Sequence, residues 1–496
     1  MTARRPDDYR APAKQGTDPG RIPTQLARNP YAPTALVLPV VLGLVLVAVT
    51  GPPAGAGVRE PEATVTGPVG RLAQPAGGRG CIHKTGVNRC AAGRAVNSPE
   101  DIAISPDGRH AYVAAYGSHA VAVFARNRTS GGLVQLPGKR GCIGHRGAGP
   151  CAYGRALARP VAVAVSPDGR NVYVAAAGSN ALAVFSRNRR TGALRQLAGT
   201  KGCVSHRPGG GCVDGRALNE PVAVAVSPRG GRVYVAARRH SSAVAIFVRG
   251  RDGSLAQRAG ESGCVAQGTV AGCAPARAMR SPEDVAVSPD GRSIYVAAMK
   301  SNAVTVLRRS PDGLSQPAGT GGCITNRGAT GCARGKALGG PVDLAVAPDG
   351  RGLYVASSIG DAVAVLRSDR ATGALSQARG RVGCVSQAGG GGRCIAGRML
   401  DEVWSVAISP DGRNVYAVSA RVNGMGITAR SRTTGRLTPL RGRFGCLIRG
   451  GVLGCPEGRG LTVAVAVTVS PDGRNVYVAS DDLHLGAIAI FRRSVR

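Results

Sequence analysis

The chain has 496 residues, and with 3% aromatic residues beside 74 glycines it cannot build a large aromatic core. Lys and Arg number 64 against 28 Asp and Glu, a formal net charge of +36 whose long-range field favours anionic partners. So few aromatics argue against a stacking platform for nucleic acid, and the single Trp argues against a ring of Trp-docked blades around a quinone.

Residues 1–33 contain Pro, Arg and Asp without an apolar period and read as a disordered basic segment. Residues 34–56 carry a charge-free apolar run from Ala35 to Val49, then Ala54-Gly55-Ala56, a small-x-small pattern of the kind signal peptidase accepts. This is either a cleaved signal peptide or an N-terminal membrane anchor with its positive residues inside. Both predict an extracytoplasmic protein, secreted or membrane-anchored. Residues 57–69 read as a linker.

From residue 70 to 496 the chain repeats. Ser166-Pro167-Asp168-Gly169-Arg170-Asn171-Val172-Tyr173-Val174 is the cleanest of seven copies, spaced 59 to 62 residues apart; the others begin at Ser105, Ser227, Ser288, Ala347, Ser409 and Ser470. Pro presets φ, Asp bonds the backbone two residues on and Gly supplies an unusual φ, so each copy is a corner between two alternating strands. "AVSPDGRNVYVA" resembles the signature of the YVTN-type β-propeller repeat proteins, the group that includes the lactonase-like seven-bladed propellers. The resemblance implies the fold, and it allows both pure binding proteins and lactone hydrolases. None of that family's catalytic residues maps onto this chain position by position, so no catalytic residue is assigned.

One period parses into four short strands with turn residues between them, which is a propeller blade. Strand A is Val161–Val165, strand B Asn171–Ala175, strand C Ala181–Phe185 and strand D Ala193–Leu197, followed by a Cys loop that crosses to the next strand A. The first recognisable piece, Gly70 to Pro75, matches strand D, whereas the chain ends after a strand C, Ala487–Phe491. The expected fold is therefore an all-β, seven-bladed β-propeller of four-stranded blades, closed by an N-terminal outer strand, and a monomer.

The fourteen cysteines fall in seven local pairs, one per repeat. They are Cys81 with Cys90, Cys142 with Cys151, Cys203 with Cys212, Cys264 with Cys273, Cys323 with Cys332, Cys384 with Cys394, and Cys446 with Cys455. An even count with local pairing in an exported chain implies disulfides. Zinc pairs sit two to four residues apart, and two thiolates per repeat do not complete a site.

Two groups of residues are candidates for ligand binding. If strand A lines the channel, the Cys loops and the B–C turns share one face, and that face is basic. Arg94, Arg155, Arg216, Arg327, Arg334, Lys336, Arg393 and Arg398 lie in its loops, and Arg238, Arg239, His240, Lys300 and Arg421 in its turns. Such a ring suits an anionic ligand or envelope polymer, or a protein partner. The second group is acidic. Four residues before each turn stand Asp101, Ala162, Ala223, Asp284, Asp343, Ser405 and Ala466, with Glu100, Glu283 and Glu402 close by. Carboxylates converging at a channel mouth either bind a cation, act as general bases, or bond neighbouring arginines and loop amides.

Blade six departs from its siblings. Trp404 replaces the usual Val or Glu, and strand C becomes Gly424-Met425-Gly426-Ile427-Thr428; a broken pattern marks either a ligand site or a packing variant. No nucleophile triad, phosphate loop, zinc motif or nucleotide fingerprint is present. The expectation is an exported binding scaffold without cofactor, metal or nucleic acid. A lactone hydrolase using channel carboxylates and a structural envelope component are the alternatives.

Overall fold

A computed structural model of the chain describes residues 67–495, apart from 148, 207–209, 240–241, 269, 330 and 482–485. The proposed signal or anchor segment at 34–56 lies outside the described residues, as does His240. Among the described residues there is no α-helix, and no helix is long and apolar enough to cross a membrane.

The repeat folds into seven mainly antiparallel sheets, and blade two shows the pattern. Strand A (Pro160–Val165) pairs with strand B (Asn171–Ala176), which pairs with strand C (Ala181–Arg187). Strand C then takes two short partners end to end, Leu194–Gln196 and Cys203–Ser205, and the latter carries a parallel strand, Val213–Asp214, on its outer side. The fourth strand position is thus split by a 3-10 turn at Gly199–Gly202. The cysteine segment, read from sequence as a crossing loop, is itself part of the blade.

The corner turn closes as its sequence requires. Ser166 Oγ donates to Asp168 Oδ1 at 2.6 Å, and Arg170 N–H donates to the same oxygen at 3.1 Å. Gly169 sits at φ +68°, which favours glycine, and a Cβ there would press on Arg187 Nη1 at 3.1 Å. Asp168 Oδ2 remains for a neighbouring blade.

Ring closure follows the expected clasp. Leu72 and Ala73 pair with Arg493 and Arg492, and Cys81–His83 pairs with Ala487–Ala489 of the same strand.

The expected cysteine pairs are all disulfides. Cys81 is bonded to Cys90, Cys142 to Cys151, Cys203 to Cys212 and Cys264 to Cys273. Cys323 is bonded to Cys332, Cys384 to Cys394 and Cys446 to Cys455. In blade two the bond joins the first residue of the inner strand, Cys203, to the residue just before the parallel strand, Cys212, so it ties the two outermost strands of the blade together. Seven such bonds fit an oxidising, extracytoplasmic compartment.

Apolar burial lies between blades rather than within one. One cluster joins Tyr173 and Leu182 of blade two to Val233 and Phe247 of blade three, and another joins Ile102 and Phe124 of blade one to Ile488 and Ile490 of blade seven. The seven tyrosines of the strand B motif are all fully buried, from Tyr112 to Tyr477.

Their hydroxyls anchor a polar latch that the sequence did not reveal. At the end of strand C, Arg187 donates through Nε to Tyr112 OH of the preceding blade at 2.6 Å and through Nη2 to Asp107 at 2.9 Å. Its Nη1 donates to Gly169 O of its own turn at 2.9 Å. Arg126, Arg249, Arg430 and Arg493 make the same contacts at four other junctions. The junctions on either side of blade four lack it. Arg229 stands where the acceptor Asp belongs in blade three, and Ser368 stands where the Arg belongs in blade five.

Blade six is packed differently from its siblings. Thr428 takes the place of the usual Phe or Leu and bonds Val415 O at 3.0 Å, leaving a cavity of about 10 Å³. A Cβ at Gly426 would lie 2.6 Å from Arg398 O, and Met425 is fully buried. A Cβ at Gly424 would meet Leu447 O at 2.9 Å and Met399 Sδ at 3.0 Å, so close packing against the neighbouring segment fits both glycines.

Candidate functional site

Each strand A is bulged at its second residue, where the register with strand B slips by one. Such a bulge re-aims a side chain. The bulged residues are Glu100, Val161, Val222, Glu283, Val342, Trp404 and Val465, so Glu100, Glu283 and Trp404 of the candidates chosen from the sequence occupy one equivalent position around the ring.

The neighbouring ring of Asp residues has structural work. Asp101 Oδ2 accepts the N–H of Val163 in the next blade at 2.8 Å, and Asp284 Oδ2 accepts that of Leu344 at 3.0 Å. Asp343 Oδ2 accepts both Ser405 Oγ and Val406 N–H at 2.7 Å, and Ser405 Oγ in turn accepts Val467 N–H at 3.2 Å. These groups tie strand A of one blade to strand A of the next, where the Ala residues at equivalent positions in blades two, three and seven have no side-chain acceptor to offer.

Enclosure by the ring disfavours their charged forms. Burial raises Asp101 to about 6 despite two amide donors. Burial, then the charge of Asp343, lifts Asp284 well above the usual carboxylate range, and a hydrogen bond joins the two carboxyls. Both carboxyls are held above the usual carboxylate range, by burial first and because two buried negative charges side by side repel. Glu100 is raised to about 7 by burial and by the nearby Asp481, against the opposing pull of Arg238.

The mouth itself is a salt-bridge cluster. Arg238 lies between Glu220 and Glu283, bonding the first at 2.7 Å and the second at 3.0 Å, and Ser281 Oγ donates to Glu283 at 2.8 Å. Arg421 faces Asp401 at 3.5 Å, and Trp404 Nε1 donates to Glu402 at 3.3 Å. Glu283, Glu402, Trp404 and Arg238 are therefore already partnered, and Glu100 is the candidate acid here with no hydrogen bond from another side chain among the described residues. No group of three or more His, Cys, Asp or Glu among the described residues is placed to hold a metal ion.

These shifts fix a pH dependence. A carboxyl raised in the folded state contributes most below its unfolded value and loses that contribution as pH rises through about 6 for Asp101 and about 7 for Glu100. Asp107 has the opposite sign: burial would raise it, but Ser105, the Arg109 amide and Arg187 hold it at about 2, so its contribution is lost only as pH falls towards that value. Thermal unfolding is expected to peak near about pH 5 and to fall by about pH 8. Asp101→Asn, which keeps an acceptor for Val163, is expected to flatten that decline; an unchanged profile in the variant would refute the assignment.

The basic face divides in two. Arg94, Arg155, Arg216, Lys336 and Arg398, expected from the sequence to present charge, turn onto backbone carbonyls at the edge of the blades, as in Arg155 Nη2 to Gly199 O at 2.6 Å and Lys336 Nζ to Arg393 O at 3.0 Å. They hold the split outer strand together. Arg327, Arg334 and Arg393, together with Arg379, are exposed and make no side-chain bond among the described residues.

These four, with Lys336, line a groove of about 740 Å³ between the cysteine segments of blades four and five. No Asp or Glu lines it. Ser386, 3% exposed, contributes a hydroxyl with no hydrogen-bond partner. A buried donor left unpaired in a cationic groove favours an acceptor-rich, anionic ligand. Sequence reasoning missed Arg379 and Ser386, because nothing in a repeat alignment marks one Arg among so many.

The cysteines frame the groove without serving it. Cys394 borders it, whereas Cys90, Cys151, Cys212, Cys273, Cys332 and Cys455 lie outside its lining. No cysteine is free, so none offers a thiolate to a ligand, and their part in the site is to hold the loops that carry the arginines.

No family model matches the chain, and no curated protein does, so the YVTN-type likeness rests on the repeat signature. Among solved structures the chain is similar to Kuenenia stuttgartiensis hydrazine synthase, at 15% identity and TM-score 0.50, over 83% of this chain and 99% of that one. It is also similar to a candidate 6-phosphogluconolactonase from Bacteroides uniformis, at 19% identity and TM-score 0.48, over 68% of this chain and 83% of that one. A third is the periplasmic gluconolactonase of Pseudomonas aeruginosa, at 18% identity and TM-score 0.45, over 68% and 83%. At these identities the likeness is one of fold. The chain is a seven-bladed, disulfide-stapled β-propeller.

Proposed function

We propose that this is an exported binding propeller that holds an anionic ligand, an acidic envelope polymer or smaller polyanion, in the groove between blades four and five. The observation that carries the reading is the set of unpartnered guanidiniums of Arg327, Arg334, Arg379 and Arg393 in a groove without an acid. Arginine forks match carboxylate and phosphate oxygens in pairs, and the groove is large enough for several sugar or phosphate units. The channel carboxylates support binding over hydrolysis, because Asp101, Asp284 and Asp343 spend their oxygens on the amides of the next blade.

The test uses polygalacturonate and polyphosphate of defined length. Reversing all four arginines to Glu is expected to weaken binding by at least about 100-fold, at about 1–2 kcal/mol per charge-assisted contact. A control with the same charge change on exposed Arg170, Arg292, Arg413 and Arg474 of the opposite face separates the groove from the overall field. Equal losses in both variants would reduce the reading to bulk charge. Lactone turnover that disappears in Glu100→Gln would displace it in favour of the enzyme alternative, with Glu100 as general base.

A further inference from the structure

The junction between blades four and five repeats every part of the inter-blade latch except the arginine. At every intact junction the guanidinium has three acceptors, a Tyr hydroxyl, a turn carboxylate and the carbonyl of the turn glycine, and at all but the Arg430 junction, where Gly352 stands, the side chain at the start of strand B is a fourth. For Arg187 these are Tyr112 OH, Asp107, Gly169 O and His110 Nδ1. The equivalents at the incomplete junction are Tyr295, Asp290, Gly350 and Ser293, and all four line one cavity of about 50 Å³ together with Ser368. About 10–15 Å³ holds one water, so this cavity is larger than a water site.

The acceptors are set for a cation. Asp290 Oδ1 takes Ser288 Oγ at 2.5 Å and Arg292 N–H at 3.0 Å, as in the other turns, which leaves Oδ2 for a further donor. Tyr295 OH bonds Ser368 Oγ, the atom standing where the arginine stem runs in the siblings, and has Ser293 beside it. Two arginines are near. Arg308 Nη1 donates to Ser293 Oγ at 2.5 Å while its Nη2 is held outward on Ala371 O at 2.7 Å, and Arg370 lies on the rim. Neither forms an ion pair with Asp290. The cavity opens on the face of the corner turns, away from the basic groove.

We propose that this cavity is a binding site for a guanidinium group, which enters in place of the missing side chain. It donates to Asp290 Oδ2, Tyr295 OH and Gly350 O in the arrangement that five other junctions display. A planar fork matches these acceptors, whereas an ammonium of the same charge reaches fewer of them. The site is independent of the anion groove.

Methylguanidinium chloride at millimolar concentration, against equal methylammonium chloride, is the probe. The midpoint of thermal unfolding of the wild-type chain is expected to rise saturably by roughly 2 °C. Ser368→Arg, which supplies the group covalently, is expected to start higher and not to respond. Asp290→Asn is expected to lose the response, and it keeps the test decisive should the Arg variant fold poorly. A response to methylammonium equal to that to methylguanidinium, or one that survives in Asp290→Asn, would overturn the proposal. A Gly-Arg-Gly peptide that matches methylguanidinium assigns the site to an arginine side chain of another protein; methylguanidinium alone binding assigns it to a free small cation.

Discussion

Reduced and alkylated, the chain is expected to lose cooperative folding at neutral pH and 37 °C altogether. Each disulfide closes a loop with a sequence separation of 9 or 10, and by the loop-entropy account each such closure contributes roughly 2.5–3 kcal/mol. Seven of them exceed the net stability of about 5–15 kcal/mol that a folded protein retains. The cysteine segments are also where the outer edge of each blade attaches: Cys203–Ser205 meets strand C through three residues only. An outer edge so short, next to blades poor in aromatic mass, depends on covalent closure. A single pair changed to Ser, such as Cys203 with Cys212, is expected to cost about 2–3 kcal/mol and to leave a folded ring. Circular dichroism and denaturant midpoints of the oxidised, single-pair and fully reduced forms check the series. A reduced chain that melts like the oxidised one would show the staples to be incidental.

Arg187→Ala carries the second large effect, a loss of about 3–4 kcal/mol. The side chain is 0% exposed and its partner Asp107 28% exposed, so truncation removes a well-enclosed ion pair. It also strands Gly169 O and leaves the volume of a guanidinium unfilled between two blades. Asp107 keeps Ser105 Oγ at 2.6 Å and the Arg109 amide at 3.0 Å, which limits the damage on the acceptor side. Arg249→Ala supplies the comparison. Its pair with Asp168 is more open, at 8% and 40% exposure, and water screens such a pair; about half the loss is expected. Denaturant midpoints of the two variants decide it. Equal losses would mean that packing volume, not the ion pair, dominates the latch.

Much of the fold was legible in the sequence. The Ser-Pro-Asp-Gly corners set the period, the cysteine pairs set the staples, and the match of Gly70–Pro75 to an outer strand set the closure, because each rests on local residues that need no partner to be recognised. The strand nature of Cys203–Ser205 was not legible, since three residues without an apolar alternation carry no period. Nor was the Arg–Tyr–Asp latch. Its Arg is one basic residue among 64, its partners lie a full repeat away, and two of seven junctions break the pattern. For the site, Asp101, Asp284 and Asp343 were found by register but their task was not, because whether a channel carboxylate meets solvent or a neighbour's amide is decided by the width of the ring. Glu100 and the groove arginines Arg327, Arg334 and Arg393 were found. Arg379 and Ser386 became visible only when two blades were placed side by side.

The clasp also governs how the ring comes to be closed. Gln74 bonds Arg459 across a separation of 385 residues, whereas the other blades complete themselves within about one repeat. By the logarithmic cost of loop closure, joining those ends is harder than joining neighbours by roughly 1.6 kcal/mol, and it comes last. Until Arg493 is in place, Leu72–Ala73 has no strand beside it and Cys81–His83 has only Ala91–Ala92, so each presents an open edge that a strand C completes. At high concentration the strand C of a second molecule competes for them, and the seam that completes one ring is then the place where two rings exchange strands.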